Sequence, residues 1–249
     1  MDKQLVDYTL MLADSSLIMG HRLSEWTGHG PALELDIAIS NIALDHIGQA
    51  RNFYQYAALL QGNGATEDSL AYMRGEREYK NFLLTELPNG DWAQSLLKIF
   101  FYANYQFHLY QQLINIANVQ LSAIAEKSLK EASYHLRWSG DWVIRLGDGT
   151  EESRDRMINA LDNIWNYTGE LYTKPACDIG FVDHGLLKEN WLQKTMQVFT
   201  SATLSLPHDK SGEPVWMHSG GTQGKHTEHL GFILAEMQYL QRTYPNSEW

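Results

Sequence analysis

Cysteine is nearly absent from this chain. Its 249 residues include one, Cys177, so no disulfide can form within it, and a reducing, cytoplasmic setting is expected. Proline is scarce too, and six over this length leave room for long uninterrupted helices. Positive charge is in deficit. Nineteen basic residues against thirty acidic ones give a net charge of −11, which repels phosphate backbones and anionic lipid, so neither nucleic acid nor a membrane surface is expected as a partner. The longest uncharged stretch, residues 99–125, contains Asn104, Gln106, His108, Gln111, Gln112, Asn115 and Asn118. These would be costly in lipid, so the stretch reads as a buried helix of a soluble protein. Asp2 and Asp7 stand where a secretory leader would need a basic start and an apolar run. No Gly-x-Ser-x-Gly elbow, alternating strand, internal repeat or low-complexity tract is present.

What is there is helical periodicity. With 44% hydrophobic and 20% charged residues the chain is globular, and residues 1–249 are expected to form one all-α domain. The organising stretch runs from Pro31 to Leu60. Reading it at alternating steps of four and three gives Leu35, Ile39, Ile42, His46, Gln49, Phe53, Tyr56 and Leu60, one buried helix face carrying two polar residues. Such a face asks for like neighbours along its length, the condition for an antiparallel bundle.

Further helices are expected at 3–26, 67–87 (a charged surface element closed by Pro88-Asn89-Gly90), 92–117, 120–146, 151–172, 186–204 and 226–242. Pro31 is placed in the first turn of the second helix. The fourth helix repeats the apolar row in Leu96, Phe100, Ala103, Phe107, Tyr110 and Ile114. The fifth has a row of small and polar residues that includes Ser128, Ala132, His135 and Ser139. The last is expected to bury Leu230, Ile233, Met237 and Leu240, and residues 206–225 read as a long loop.

A His and a second ligand three residues apart inside a bundle suggest a di-iron carboxylate centre, which takes a Glu from each of two helices and a Glu-x-x-His from each of two others. The acids are missing here. The corresponding pairs are His46-x-x-Gln49 and Ala132-x-x-His135, and the inward row of the fourth helix presents Ala103. Glu131 is displaced by about 100° from Ala132 around the helix. The expectation is a hydrogen-bonded polar core and no metal. His226-Thr-Glu228-His229 invites a zinc reading, since His226 and His229 can share a helix face, but a third ligand is lacking and packing or partner contact is the better reading. Gly221-Thr-Gln-Gly224-Lys225 resembles the tail of a phosphate loop without its strand, first glycine or Ser/Thr, leaving at most an anion contact of Lys225 and the amides opening the last helix.

Three separated segments, GHGPALELDIAISNIALDHIGQARNF, KEASYHLRW and GKHTEHLGFILAEMQYLQR, carry a resemblance that extends over essentially the whole chain. They resemble the C subunits of the bacterial multicomponent phenylacetyl-CoA epoxidases, the ring-1,2 monooxygenases of phenylacetate degradation. The resemblance implies a ferritin-like bundle, a sister of the catalytic A subunit of those complexes. That catalytic protein carries Asp-Glu-Ala-Gly-His on one helix and Lys-Glu-Glu-Ser-Phe-His on another. Laid on this sequence they fall on Asp45–Gln49 and Lys130–His135, so the ligand positions hold His46 and Gln49, then Ala132 and His135.

The resemblance further implies a non-catalytic structural subunit with no cofactor or catalytic residue of its own. It would pair with and stabilise the di-iron catalytic subunit, which takes phenylacetyl-CoA, alongside a bridging B subunit and a reductase carrying flavin and iron–sulfur and drawing on NADPH. A homodimer is an option for the isolated chain. Two other readings stand beside this one. The first is a stand-alone di-iron oxygenase using His46, His135 and carboxylates such as Glu25 or Glu131; the second is an unrelated helical scaffold. Trp26, Trp216 and Trp249 are candidate partner contacts as exposed aromatics.

Overall fold

Helix α1 (Lys3–Ser24) has no solvent face over its middle: every residue from Tyr8 to Gly20 is buried. A helix buried on all sides needs neighbours all round it, and α1 is the post against which the first half of the chain packs. The computed structural model describes residues 3–207, 215–245 and 247. Among them are ten α-helices, four short 3-10 turns and no strand, so the protein is all-α. None of those helices is long and apolar enough to cross a membrane. The chain forms two compact units, residues 1–88, 175–179 and 220–249, and residues 89–174 and 180–219.

In the first unit, α1 and α2 (Leu33–Gln61) form an αα-hairpin. The expected row of α2 is buried from Ile39 through Tyr56, with Leu35 and Leu60 half-buried at its ends. Close approach is set by Gly20, where an added Cβ would stand 3.1 Å from the Ala43 carbonyl oxygen and 3.3 Å from His46 Cβ. Pro31 lies outside the helix rather than in its first turn. The chain stays extended at Ala32, and Asp36 Oδ2 accepts the Gly30 amide at 2.9 Å, which fastens the turn before the helix opens.

The segment expected as one surface helix over 67–87 is neither single nor superficial. It runs as α3 (Glu67–Tyr72), a 3-10 turn at Glu76–Glu78 and α4 (Leu83–Glu86), with Tyr79 and Asn81 through Leu87 buried. The helix closes at Tyr72, Gly75 opens the 3-10 turn, and between them Arg74 turns inward to an ion pair with Asp14 of α1, an interaction stronger than the helical preference of a charged stretch. Helix α9 (Glu228–Met237) is followed by a separate α10 (Tyr239–Thr243). Leu230, Ile233 and Leu234 pack with Ile18 and Tyr79, with Met237 partly buried beside them. Leu240, expected in that row, is 47% exposed because the helix ends at Met237 and the register is lost.

The second unit is built on the hairpin of α5 (Trp92–Leu113) and α6 (Val119–Gly147), capped by Asp91 and Asn118, whose side chains accept the Gln94 and Leu121 amides. Of the predicted rows, Leu96, Phe100, Ala103 and Tyr110 are buried on α5, and Leu121, Ala125, Ser128, Ala132, His135 and Ser139 on α6, while Phe107 is half-buried and Ile114, half-buried too, lies just past the end of α5. The sixth predicted helix ends early. Helix α7 (Glu151–Ile164) gives way to 3-10 turns at Trp165–Tyr167 and Gly169–Leu171, where a Cβ on Gly169 would come within 2.8 Å of Met217. Helix α8 (His184–Ser201) opens two residues before the predicted start because Asp183 caps it, accepting the Gly185 and Leu186 amides at 2.9 and 3.0 Å. Trp191 of α8 packs between Phe101 and Trp165 and donates to the Phe101 carbonyl oxygen at 3.0 Å. Each buried aromatic of this kind removes enough apolar surface from water to contribute about 1.5–3 kcal/mol.

Candidate functional site

In the first unit, α2 carries His46 and Gln49 on its buried face, at 0% and 1% exposure, with His46 beside Gly20 of α1. In the second, α6 carries Ala132 and His135, both at 0%, and α5 carries Ala103 at 1%. Ser139 donates to the His135 carbonyl oxygen at 2.6 Å, and the Tyr134 ring meets the His135 imidazole edge-on. What these positions offer a metal is one imidazole and one carboxamide on α2, and one imidazole with two methyl groups on α5 and α6. A pair of iron ions needs anionic oxygen donors to balance its charge, and none of the five side chains supplies one. Glu25, invoked as a substitute, is exposed and paired with Arg22 at 2.7 Å. Among the described residues, no group of three or more His, Cys, Asp or Glu side chains is placed to hold a metal ion. The residues present do not fit a di-iron centre.

The second candidate, His226 with Glu228 and His229, takes a different form from a shared helix face. Thr227 is the N-cap of α9, accepting the His229 amide at 3.3 Å, so His226 lies outside the helix. Its fully buried ring sits between two acceptors, Glu86 Oε2 at 2.9 Å from Nδ1 and the Tyr79 carbonyl oxygen at 3.0 Å from Nε2. Glu228 is exposed and His229 half-buried. The anion contact expected at this helix start is occupied from within: the Thr227 amide donates to Glu86 Oε1 at 2.6 Å, and Lys225 is exposed. A helix N-terminus favours a negative partner, and Glu86 is that partner.

The family model described as phenylacetic acid catabolic protein matches residues 1–249, the whole chain. The chain belongs to the phenylacetic acid catabolic protein family. It is 43% identical over 252 residues to the C subunit of the 1,2-phenylacetyl-CoA epoxidase of Escherichia coli (strain K12), with 99% of each chain covered.

Among the described residues, Asp14, Arg74 and Glu86 are densely hydrogen-bonded polar groups that no motif marks. Asp14, at 0% exposure in the middle of α1, accepts from Arg74, from the Tyr54 hydroxyl at 2.6 Å and from the Lys80 amide at 2.8 Å. Burial by itself would lower the Arg74 pKa, but the Asp14 carboxylate outweighs it and holds the guanidinium charged. Burial and the same carboxylate push the Tyr54 and Tyr79 hydroxyls well above their usual range, so both remain neutral donors. Glu86, also at 0%, accepts from Asn81 at 2.8 Å besides His226 and Thr227. One signal was available: Asp14 is the only charged residue in an otherwise apolar and small run from Tyr8 to Gly20. Nothing local marked Arg74 or Glu86, whose partners lie 60 and 140 residues away. Of the tryptophans offered as exposed contacts, Trp26 is half-buried, Trp216 is 71% exposed and Trp249 lies outside the described residues.

Proposed function

We propose that this chain is a non-catalytic structural subunit of a phenylacetyl-CoA epoxidase complex. In this reading it pairs with and stabilises the di-iron catalytic subunit, as a ferritin-like sister of it, in the cytoplasm. A bridging subunit completes the assembly. The acyl-CoA and the two iron ions belong to the catalytic subunit, and NADPH, flavin and iron–sulfur belong to the reductase. The observation that carries the reading is the composition of the ligand positions: His46, Gln49, Ala103, Ala132 and His135 include no carboxylate. Support comes also from the 43% identity to an epoxidase C subunit along the full length of both chains.

A support role has a physical basis. A helical bundle whose interior is opened for metal and substrate loses packing, and a second bundle against it restores rigidity through an interface on the order of 2,000 Å² or more. Co-expression tests this. The catalytic subunit made with this chain is expected to be soluble and to oxygenate phenylacetyl-CoA when the bridging subunit and the reductase are supplied. Made without it, the catalytic subunit should be largely insoluble or inactive. Equal soluble yield and equal turnover in both cases would refute the proposal.

A further inference from the structure

On the second unit a groove of about 290 Å³ opens between α5, α6 and α8. Its floor is apolar: Phe107, Leu136, Ile144 and Val198 line it, with Leu136 and Val198 at 6% and 3% exposure. Arg137 and Lys194 stand at its edge. Neither makes an ion pair among the described residues. Lys194 donates only to the Gln197 carboxamide at 3.4 Å, and the Arg137 guanidinium lies 5.9 Å over the Tyr134 ring. Asp141 also lines the groove, so two cations against one carboxylate leave its mouth with a single net positive charge, which in a chain of net charge −11 favours a monoanion.

His108 supplies a second, independent observation. It lines the same groove, and both of its ring nitrogens are shut off from solvent without a hydrogen-bond partner among the described residues. Enclosed polar atoms of this kind are costly unless something meets them. Burial lowers its pKa, a Gln111 side-chain contact opposing and Lys194 acting with burial, and an imidazole carries at least one N–H in either protonation state.

We propose that this groove binds a small carboxylate with an apolar body the size of an aromatic ring. The carboxylate is held by Arg137 and Lys194 and accepts the His108 N–H, and the body lies on Phe107, Leu136 and Val198. The volume of about 290 Å³ lies at the lower end of the range for small-molecule sites, about 300 to 1,000 Å³, and suits a ligand of roughly ten non-hydrogen atoms. Phosphoryl groups are disfavoured, because Asp141 at the rim offsets one of the two cations. The site is separate from the vacated ligand positions and does not depend on the support role proposed above.

The test uses the full-length chain labelled with ¹⁵N and ¹³C, following the His108 ring resonances during titration with phenylacetate. Saturable shifts are expected with a Kd on the order of 1 mM, the affinity that ten atoms and one charge contact allow. Phenylacetamide and inorganic phosphate should each bind at least about tenfold more weakly, since each lacks one half of the match. Arg137→Gln and Lys194→Gln should weaken phenylacetate by a similar factor while leaving the unfolding midpoint unchanged, both being solvent-accessible side chains. No saturable shift up to about 20 mM phenylacetate, equal binding of phenylacetamide, or equal binding by both variants would overturn the proposal.

Discussion

His226 and Glu86 form a buried charge pair that closes the last third of the first unit onto its middle. The imidazole Nδ1 lies 2.9 Å from a carboxylate oxygen and Nε2 lies 3.0 Å from the Tyr79 carbonyl oxygen, with both side chains at 0% exposure. Both facing atoms are acceptors, so this pocket favours the imidazolium, in which both ring nitrogens donate. Burial works to lower its pKa, but the bond and charge of Glu86, the Tyr79 carbonyl and the Asp14 charge together raise it above the usual 6.5.

The sign of the linked stability follows. His226 binds its proton more tightly in the folded than in the unfolded state, so its contribution is complete below about pH 6.5 and is lost as pH rises through the raised folded value. Urea unfolding from pH 6 upward should show that loss in the native chain. Glu86→Gln should remove the dependence and cost about 3 kcal/mol at pH 6, since breaking a buried pair leaves the remaining charge uncompensated. A Glu86→Gln variant with native stability and an unchanged pH profile would show that the ring is neutral.

Asp14 and Arg74 make the second prediction. Arg74→Met leaves a fully buried carboxylate with one charged partner removed and should destabilise by about 3–5 kcal/mol. Arg74→Lys should recover only part of this, because an ammonium cannot reproduce the two-pronged contact with both carboxylate oxygens. The double change Asp14→Leu with Arg74→Met should be less costly than the sum of the singles, and denaturation of the four proteins measures the coupling.

How legible all this was in the sequence depended on the range of the interaction involved. Long amphipathic rows such as Ile39 to Tyr56 and Leu121 to Ser139 could be read because the 3.6-residue period is local, and the structure buries them as read. The burial of His46 with Gln49 and of Ala132 with His135 was legible for the same reason, each pair lying within one helical turn. The segment 67–87 was misread because its charges suggested a solvated helix, whereas Arg74 and Glu86 are drawn inward by Asp14 and His226 across the chain. The end of α9 was misjudged in a similar way: the Leu240 position fits the apolar row only if the helix continues past Met237, and it does not.

Cys177 gives a third prediction. Its thiol is 7% exposed, lies 3.8 Å from the Met11 sulfur and is pushed up to about 11, burial being the main cause. At pH 8 roughly one thiol in a thousand is ionised, so reaction with iodoacetamide in the native protein should be slower than for a free thiol by at least about 100-fold. Labelling at the rate of a small-molecule thiol would contradict this placement.

A fourth concerns Gly147, the last residue of α6. A Cβ there would come within 2.9 Å of Ala202 Cβ and close on the Ala202 backbone after α8, where nothing flexible can move aside. Gly147→Ala is expected to destabilise by about 1–3 kcal/mol despite alanine's better helix propensity, and a raised thermal midpoint would count against it.

Turnover per assembled complex is the measurement that bears most directly on the proposed support role. His46→Gln and His135→Gln, introduced together in this chain and co-purified with the catalytic and bridging subunits, should leave turnover of phenylacetyl-CoA within about twofold of the unaltered complex, because an interaction absent from the transition state does not alter kcat. A loss of about 100-fold or more with the complex intact would mean that these imidazoles take part in the chemistry.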